Sequence, residues 1–343
     1  MTKYTVNRNS PVPVYYQITL NMRQRISGGE WRAGNKLPPE LELTKQYNVS
    51  RMTFRQALGE LVKEGILIRR RGVGTFVSQG YVSAGETSAH EQLSEALSLK
   101  DKSDLRQQVW QELRKVAKPD SRFHWDFEKF VPDFAKSARC VDSIRKMECY
   151  KDSKILFIAP DNSLTRIRQQ AIEDHKQIIV ATHAIVRGFL TIESNNIPPG
   201  CEAFAATLDG IEHFGRPISL EEIIDLASID LLITGISLVT ESGVRWGKGH
   251  GYFDLEWGIF REIGAVEDNT PIVAVGHDCQ VVSTDLEPSE VDTIVDAIVT
   301  PTRVIRAEKK YPKPNGILWQ YISPELRDQI PPVQILHTQR LDE

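Results

Sequence analysis

"DLLITGISLVTESGVRWGKGHGYFDLEWG", residues 230–258, sets an apolar run ahead of four glycines, Gly243, Gly247, Gly249 and Gly251, and then an amphipathic stretch that opens with Tyr252. Branched apolar residues bounded by turn formers predict a buried strand. The stretch after the glycines predicts a helix whose first turn carries Asp254 and Glu256. The same alternation recurs on either side. "KILFIAP", "QIIVATHAI", "PIVAVGHDCQVV" and "DAIVTPTRVI" are further Ile- and Val-rich runs, separated by helical stretches such as "LTRIRQQAIEDH" and "SLEEIIDLA". Strands alternating with helices predict an α/β domain with an open, mostly parallel sheet, whose ligands bind where loops leave the carboxyl ends of strands. The glycine loop sits at such a place, after "LLITGISLV".

The chemistry of that loop follows from its residue types. Glycines leave backbone N–H groups open to phosphate oxygens, Lys248 and Arg245 supply positive charge, and the start of a helix adds its dipole. Asp254 is placed to hold Mg²⁺ bridging phosphates. Gly247, Gly249 and Gly251 alternate strictly, which matches neither G-x-x-x-x-G-K-[ST] nor G-x-G-x-x-G. Nearby polar residues leave two readings open. His250 either donates to phosphate or is an exposed loop histidine; Arg166 and Arg168 either add charge to a pocket mouth or solvate a helix. His277 and Asp278, at a strand end, are placed either to orient a ligand or to bind a metal, although no third ligand stands at regular spacing.

The other end of the chain differs in charge. Residues 1–80 hold 13 Lys and Arg against five Asp and Glu, a net of +8, whereas the rest of the 343 residues carry 29 against 41, a net of -12. A basic domain of this size suits a polyanion, and the acidic remainder would repel one. In "VYYQITLNMRQRIS" the apolar residues Val14, Ile18, Met22 and Ile26 recur at every fourth position, one stripe of a helix. "LPPELELTKQYNVSRMTFRQALGELVKEG" reads as two more helices, with Ser50 capping the second and Gly65 ending it. Phe54, Ala57, Leu58 and Leu61 form its buried side, and Arg51 and Arg55 lie one turn apart on another face, suited to guanine edges or phosphates. "ILIRRRGVGTFV" then reads as a hairpin turning at Gly72 and Gly74, with Arg69, Arg70 and Arg71 at the bend.

Between these parts, residues 79–98 are rich in Ser, Ala, Gly and Glu and read as a linker, with a short helix in "HEQLSEALS". The domains expected are therefore residues 1–78 and 99–343. The four cysteines form no C-x-x-C pair, which argues against a zinc site or disulfide framework. Neither a signal peptide nor a membrane-spanning run is visible, so a cytoplasmic protein with reduced thiols and no membrane partner is expected.

Two resemblances build on these residues. "KLPPELELTKQYNVSRMTFRQALGELVKEGILIRRRGVGTFV" resembles the winged helix-turn-helix of GntR-type transcription factors over residues 11–78. The resemblance implies that Arg51, Thr53 and Arg55 contact a double-stranded operator, with Gly72 and Gly74 shaping the wing. Leu41 stands where many members carry arginine. "KSDLRQQVW", "GVRWGKGHGYFD" and "VDAIVTPTRVI" are similar to the 5-formyltetrahydrofolate cyclo-ligase family, over residues 100–310 in pattern. That family uses MgATP to phosphorylate the formyl oxygen of 5-formyltetrahydrofolate while a ring nitrogen closes onto the carbon. Carried over by motif, Lys102, Arg106, Arg245 and Lys248 would face ATP phosphates, Gly247, Gly249 and Gly251 would line the loop, Tyr252 would border the folate, and Asp254 would serve Mg²⁺. The family's Tyr-Tyr-Asp-Arg ending appears here as Tyr252, Phe253, Asp254, Leu255. "CEAFAATLDGIEHFGRPISL" replaces its pterin-gripping Glu-Pro segment.

The resulting expectation is a homodimeric GntR-type regulator whose cyclo-ligase-like domain senses a nucleotide, folate or related heterocycle. Its alternative is a bifunctional ATP-dependent cyclo-ligase that also binds DNA. An enzyme merely tethered to nucleic acid is a third reading.

Overall fold

In a computed structural model the chain divides within the segment read as a linker, giving units of residues 1–92 and 93–343. The structure describes residues 6, 8, 14–27, 30–32, 34–63, 66–70, 73–78, 99–123, 125–226, 228–247, 251–284, 286–308 and 310–342. The helix expected in "HEQLSEALS", Gly65, and the wing residues Arg71 and Gly72 lie outside them.

In the first unit, helices α1 (Val14–Ser27), α2 (Glu40–Tyr47) and α3 (Arg51–Lys63) precede an antiparallel hairpin of β1 (Leu67–Arg70) and β2 (Gly74–Val77). Ile18, Met22 and Ile26 of the four-residue stripe are buried against Phe54, Ala57, Leu58 and Leu61, with Leu43 and Tyr47 from α2 closing the core. Each large apolar side chain so buried contributes about 1.5–3 kcal/mol. The backbone N–H of Thr53 donates to Ser50 Oγ at 3.1 Å, so Ser50 caps α3 as its sequence position indicates.

The second unit is built on an eight-stranded sheet of β3 (Ile155–Ile158), β4 (Gln177–Ala181), β5 (Phe189–Ile192), β6 (Arg216–Ile218), β7 (Leu231–Gly235), β10 (Ile272–Val275), β12 (Ala297–Val299) and β13 (Val304–Arg306). Their order is β13-β12-β10-β7-β3-β4-β5-β6. The inner five, from β12 to β4, are parallel; β13 on one edge and β5 on the other run against them, and β6 pairs antiparallel with β5. An open, mostly parallel α/β sheet therefore forms, and the inner strands, covered on both faces, account for the near-continuous apolar runs. Phe157, Phe189 and Phe260 meet inside with ring centroids 4.9–6.4 Å apart.

One expectation needs correction. "LLITGISLV" is not a single strand: β7 stops at Gly235, and β8 (Leu238–Thr240) pairs with β9 (Arg245–Trp246) and β11 (Val281–Val282) in a separate three-stranded sheet. The break has a local cause. A Cβ on Gly235 would stand 2.7 Å from Asp161 Oδ2, and the Gly235 N–H donates to that same oxygen at 3.1 Å, so the chain is drawn off the strand path. The glycine loop thus leaves the small sheet, not the main one. The helix after it is Tyr252–Glu262, which puts Asp254 in its first turn and Glu256 in its second. Among the described residues no helix is long and apolar enough to cross a membrane.

Candidate functional site

On the first unit, the start of α3 and the hairpin carry the cationic residues. Arg51, Arg55, Arg69 and Arg70 are exposed, and Gly74 opens β2 with φ +138°. Thr53 shares a 2.8 Å hydrogen bond with the Ser50 hydroxyl. The reading of single residues missed Glu40. Its carboxylate accepts from Arg55 Nε at 2.8 Å and lies 3.7 Å from Arg69 Nη2, tying α2, α3 and the hairpin at one point. An arginine held by Nε keeps both Nη groups for a bidentate contact. Glu40→Gln should therefore tighten binding to random-sequence duplex a few-fold while narrowing the advantage of a preferred site, since a half-exposed ion pair contributes about 0–1 kcal/mol. Competition fluorescence anisotropy reads both effects; an unchanged ratio would show the clamp to be idle.

In the second unit β4 lies on one side of β3 and β7 on the other, so a topological switch point falls between β3 and β7. Ligands of open α/β sheets bind in the crevice there. A cavity of about 230 Å³ occupies this position, lined by residues 159–162 after β3, Thr234 and Gly235 of β7, residues 181–184 after β4, and Gly247, Gly251, Tyr252, Phe253 and Glu256. Phe123 and Phe130, stacked at 4.7 Å with planes 13° apart, form an aromatic wall. Leu208, Asp209, Ile211 and Glu212, from the segment that replaces the Glu-Pro element, also line it, with Lys129, Val131 and Arg245.

Arg245 is the buried cation of this site, at 3% exposure. Its Nη2 donates to Asp254 Oδ1 and Oδ2 at 3.0 and 3.1 Å, and its guanidinium lies 4.6 Å from the Phe253 ring centroid. Its Nε is buried with no hydrogen-bond partner among the described residues. A Cβ on Gly247 would stand only 3.1 Å from Arg245 Nη1, so glycine lets the loop pass close over the guanidinium. Gly251 begins the helix in the left-handed region, φ 63°, where glycine is favoured. Tyr252 lines the cavity, and burial raises its phenol pKa.

Several expected site residues stand elsewhere. Asp254 is not among the lining residues; besides Arg245, its Oδ1 accepts the backbone N–H of Thr293 at 2.9 Å. Arg106 also lies outside the lining, with its guanidinium 5.0 Å from the Trp110 ring centroid. The Lys102 side chain and residues 248–250, including Lys248, Gly249 and His250, lie outside what is described. Arg168 follows neither reading made for it. It is wholly buried and donates to the carbonyls of Ala159 at 2.6 Å, Asp161 at 3.1 Å and Ala206 at 2.9 Å. Burial draws its pKa down to about 10, which leaves it cationic at neutral pH, bracing the cavity loop from behind. His277 accepts the Cys279 N–H at Nδ1, and Asp278 accepts from Thr300 Oγ1 at 2.6 Å; burial lowers the His277 pKa. No three metal-binding side chains converge among the described residues.

Comparison with known proteins fits this division. Residues 14–77 match the gntR family of bacterial regulatory proteins, and residues 98–301 match the 5-formyltetrahydrofolate cyclo-ligase family. The methenyltetrahydrofolate synthase domain-containing protein of Homo sapiens is 34% identical over 237 residues, 67% of this chain and 60% of that protein. The HTH-type transcriptional repressor NagR of Bacillus subtilis (strain 168) is 49% identical over 74 residues, 22% of this chain and 30% of the repressor. A solved structure of the AraR DNA-binding domain in complex with operator ORE1 is 33% identical and covers 22% of this chain and 100% of that one, with a TM-score of 0.22. The chain spans about 60% of the length of the human relative. With more than half of its residues matched by one family and the basic first unit by the other, the chain belongs to the 5-formyltetrahydrofolate cyclo-ligase family and carries a GntR-type winged helix-turn-helix ahead of that domain.

Proposed function

We propose that the protein is a GntR-type transcriptional regulator whose cyclo-ligase-family domain senses a nucleotide, a folate or a related heterocycle. Arg245 carries the sensing half of this reading. A buried N–H without an acceptor costs about 1–3 kcal/mol, and a guanidinium so placed at a cavity wall suits an anionic ligand oxygen. Phe123, Phe130 and Tyr252 offer flat surfaces for the heterocycle. Lys248 would add a movable charge from the glycine loop.

Sensing is favoured over turnover by what has become of the Tyr-Tyr-Asp-Arg ending. Phe253 and Leu255 replace a hydroxyl and a cation, and both are buried in the core, Phe253 beneath the Arg245 guanidinium and 6.3 Å from the Phe157 ring. ATP and Mg²⁺ remain the group the family resemblance implies. Asp254 does not fit the metal, because its oxygens are committed to Arg245 and Thr293. Asp161, Asp209, Glu212 and Glu256 line the cavity, and carboxylates so placed suit a hard cation between phosphates. When bound, the ion would neutralise phosphate charge.

The regulator would act as a homodimer, because two half-sites of an operator demand two heads in fixed relation, and ligand binding would alter that relation. The alternative, a bifunctional cyclo-ligase, draws on the family match over residues 98–301. Incubation with 5-formyltetrahydrofolate and MgATP, followed by methenyltetrahydrofolate absorbance, separates the two. We expect no turnover, and ligand-shifted DNA binding that Lys248→Ala abolishes while DNA affinity without ligand is unchanged. Turnover that the variant lacks would replace sensing by catalysis.

A further inference from the structure

The recognition face of the first unit holds two side chains that neither its charge nor its core explains. Among the described residues of α2 and α3, Leu43, Tyr47, Phe54, Leu58 and Leu61 are buried, whereas Leu41 is 50% exposed and Met52 76% exposed. Each lies in the first turn of its helix. The two turns are brought together by the ion pair between Glu40, the residue beside Leu41, and Arg55, which stands one turn after Met52 on the same side of α3. Arg55 and Arg69 reach Glu40 here, and exposed Arg51 precedes Met52 in sequence, so positive charge lies beside these side chains.

Charge of this kind selects a polyanion, but phosphates gain nothing from a thioether or an isobutyl group. The apolar feature that a DNA duplex displays beside its phosphates is the C5 methyl of thymine, at the edge of the major groove. Leu41 also stands where the resemblance to GntR-type factors places an arginine in many members, and leucine has no donor for guanine O6/N7 or for phosphate. We infer that Leu41 and Met52 read a thymine methyl group, so that the preferred half-site carries thymine at the base step under the first turns of α2 and α3. This rests on the first unit being a sequence-reading DNA-binding head.

The test uses the full chain. A preferred duplex is first enriched from a random library, and each thymine of its half-site is then replaced singly by deoxyuridine, which removes only the methyl. Deoxyuridine at one or two positions should weaken binding about fourfold each, the worth of burying one methyl-sized group. In Met52→Ala and Leu41→Ala that penalty should disappear, whereas Met52→Leu should retain it. All three variants should keep the unfolding temperature of the parent, since the side chains are exposed. The inference is overturned if no deoxyuridine weakens binding, if the penalty survives in the alanine variants, or if those variants change oligomeric state instead. Failure to enrich any sequence would sink the DNA-reading head itself, a result distinct from all three.

Discussion

Arg51→Ala combined with Arg55→Ala should weaken binding to an enriched duplex by on the order of 10²- to 10³-fold, while leaving ligand binding to the second unit unchanged. Each arginine is exposed one turn from the other on α3, and a bidentate contact to guanine is worth about 1–3 kcal/mol, so two lost contacts give a loss of that order. The two should not contribute alike. Arg55 is braced through Nε by Glu40 and arrives with its fork oriented, whereas the Arg51 guanidinium has no hydrogen-bond or ion-pair partner among the described residues. Ordering a long side chain on binding costs about 0.5–1.5 kcal/mol, so the single Arg55→Ala variant should lose more affinity than Arg51→Ala. Electrophoretic mobility shift with specific and random duplex measures both. Unchanged affinity in the double variant would remove the DNA-binding reading altogether. Equal losses on specific and random duplex would assign the pair to phosphate contacts, with a smaller salt dependence as the second sign.

How far the fold was legible depended on burial and length. β3, β4, β7, β10 and β12 are covered on both faces, so their sequences are nearly continuous apolar runs, broken only by Gln177 and Thr234. β6 escaped because it is three residues, "RPI", at a sheet edge, where proline is tolerated and one face need not be apolar. β7 and β8 merged in the reading because Ile236, between them, is as buried as either strand. Hydropathy cannot report a turn whose cause is a carboxylate 74 residues away. Arg168 was legible after all: Ala171 and Ile172, three and four residues on, share its side of the helix and are core residues. At the site, the glycine loop was singled out by residue type and Tyr252 by the family resemblance; Gly247, Gly251 and Tyr252 line the cavity. Glu256 was noted only beside Asp254 in the helix after the loop, and Asp161 and Glu40 were not singled out, since their places are set by sheet order and by partners on other elements.

Asp254→Ala should lower the unfolding temperature of the second unit by roughly 10 °C with no ligand present. Removing one partner of a buried ion pair costs about 3–5 kcal/mol, because the other charge stays uncompensated, and in a domain of this size each kcal/mol moves the midpoint about 2–4 °C. Arg245 and Asp254 are 3% and 10% exposed, which places them in that regime. Arg245→Met alone should be comparably destabilising, by stranding the carboxylate and the Thr293 N–H it accepts from. The double variant Arg245→Met, Asp254→Leu should recover much of the loss, since apolar side chains of similar volume replace buried pairs at little cost. Calorimetry of the full chain gives the four corners of this cycle, and the recovered part is the coupling energy. The double variant then separates two duties of one residue. It should be folded yet blind to ligand, because the guanidinium facing the cavity is gone. If Asp254 served a metal instead, its alanine variant would keep the parental midpoint without ligand and lose only magnesium-dependent nucleotide binding. Arg245 would then owe its position to the cavity alone, and the double variant would recover nothing.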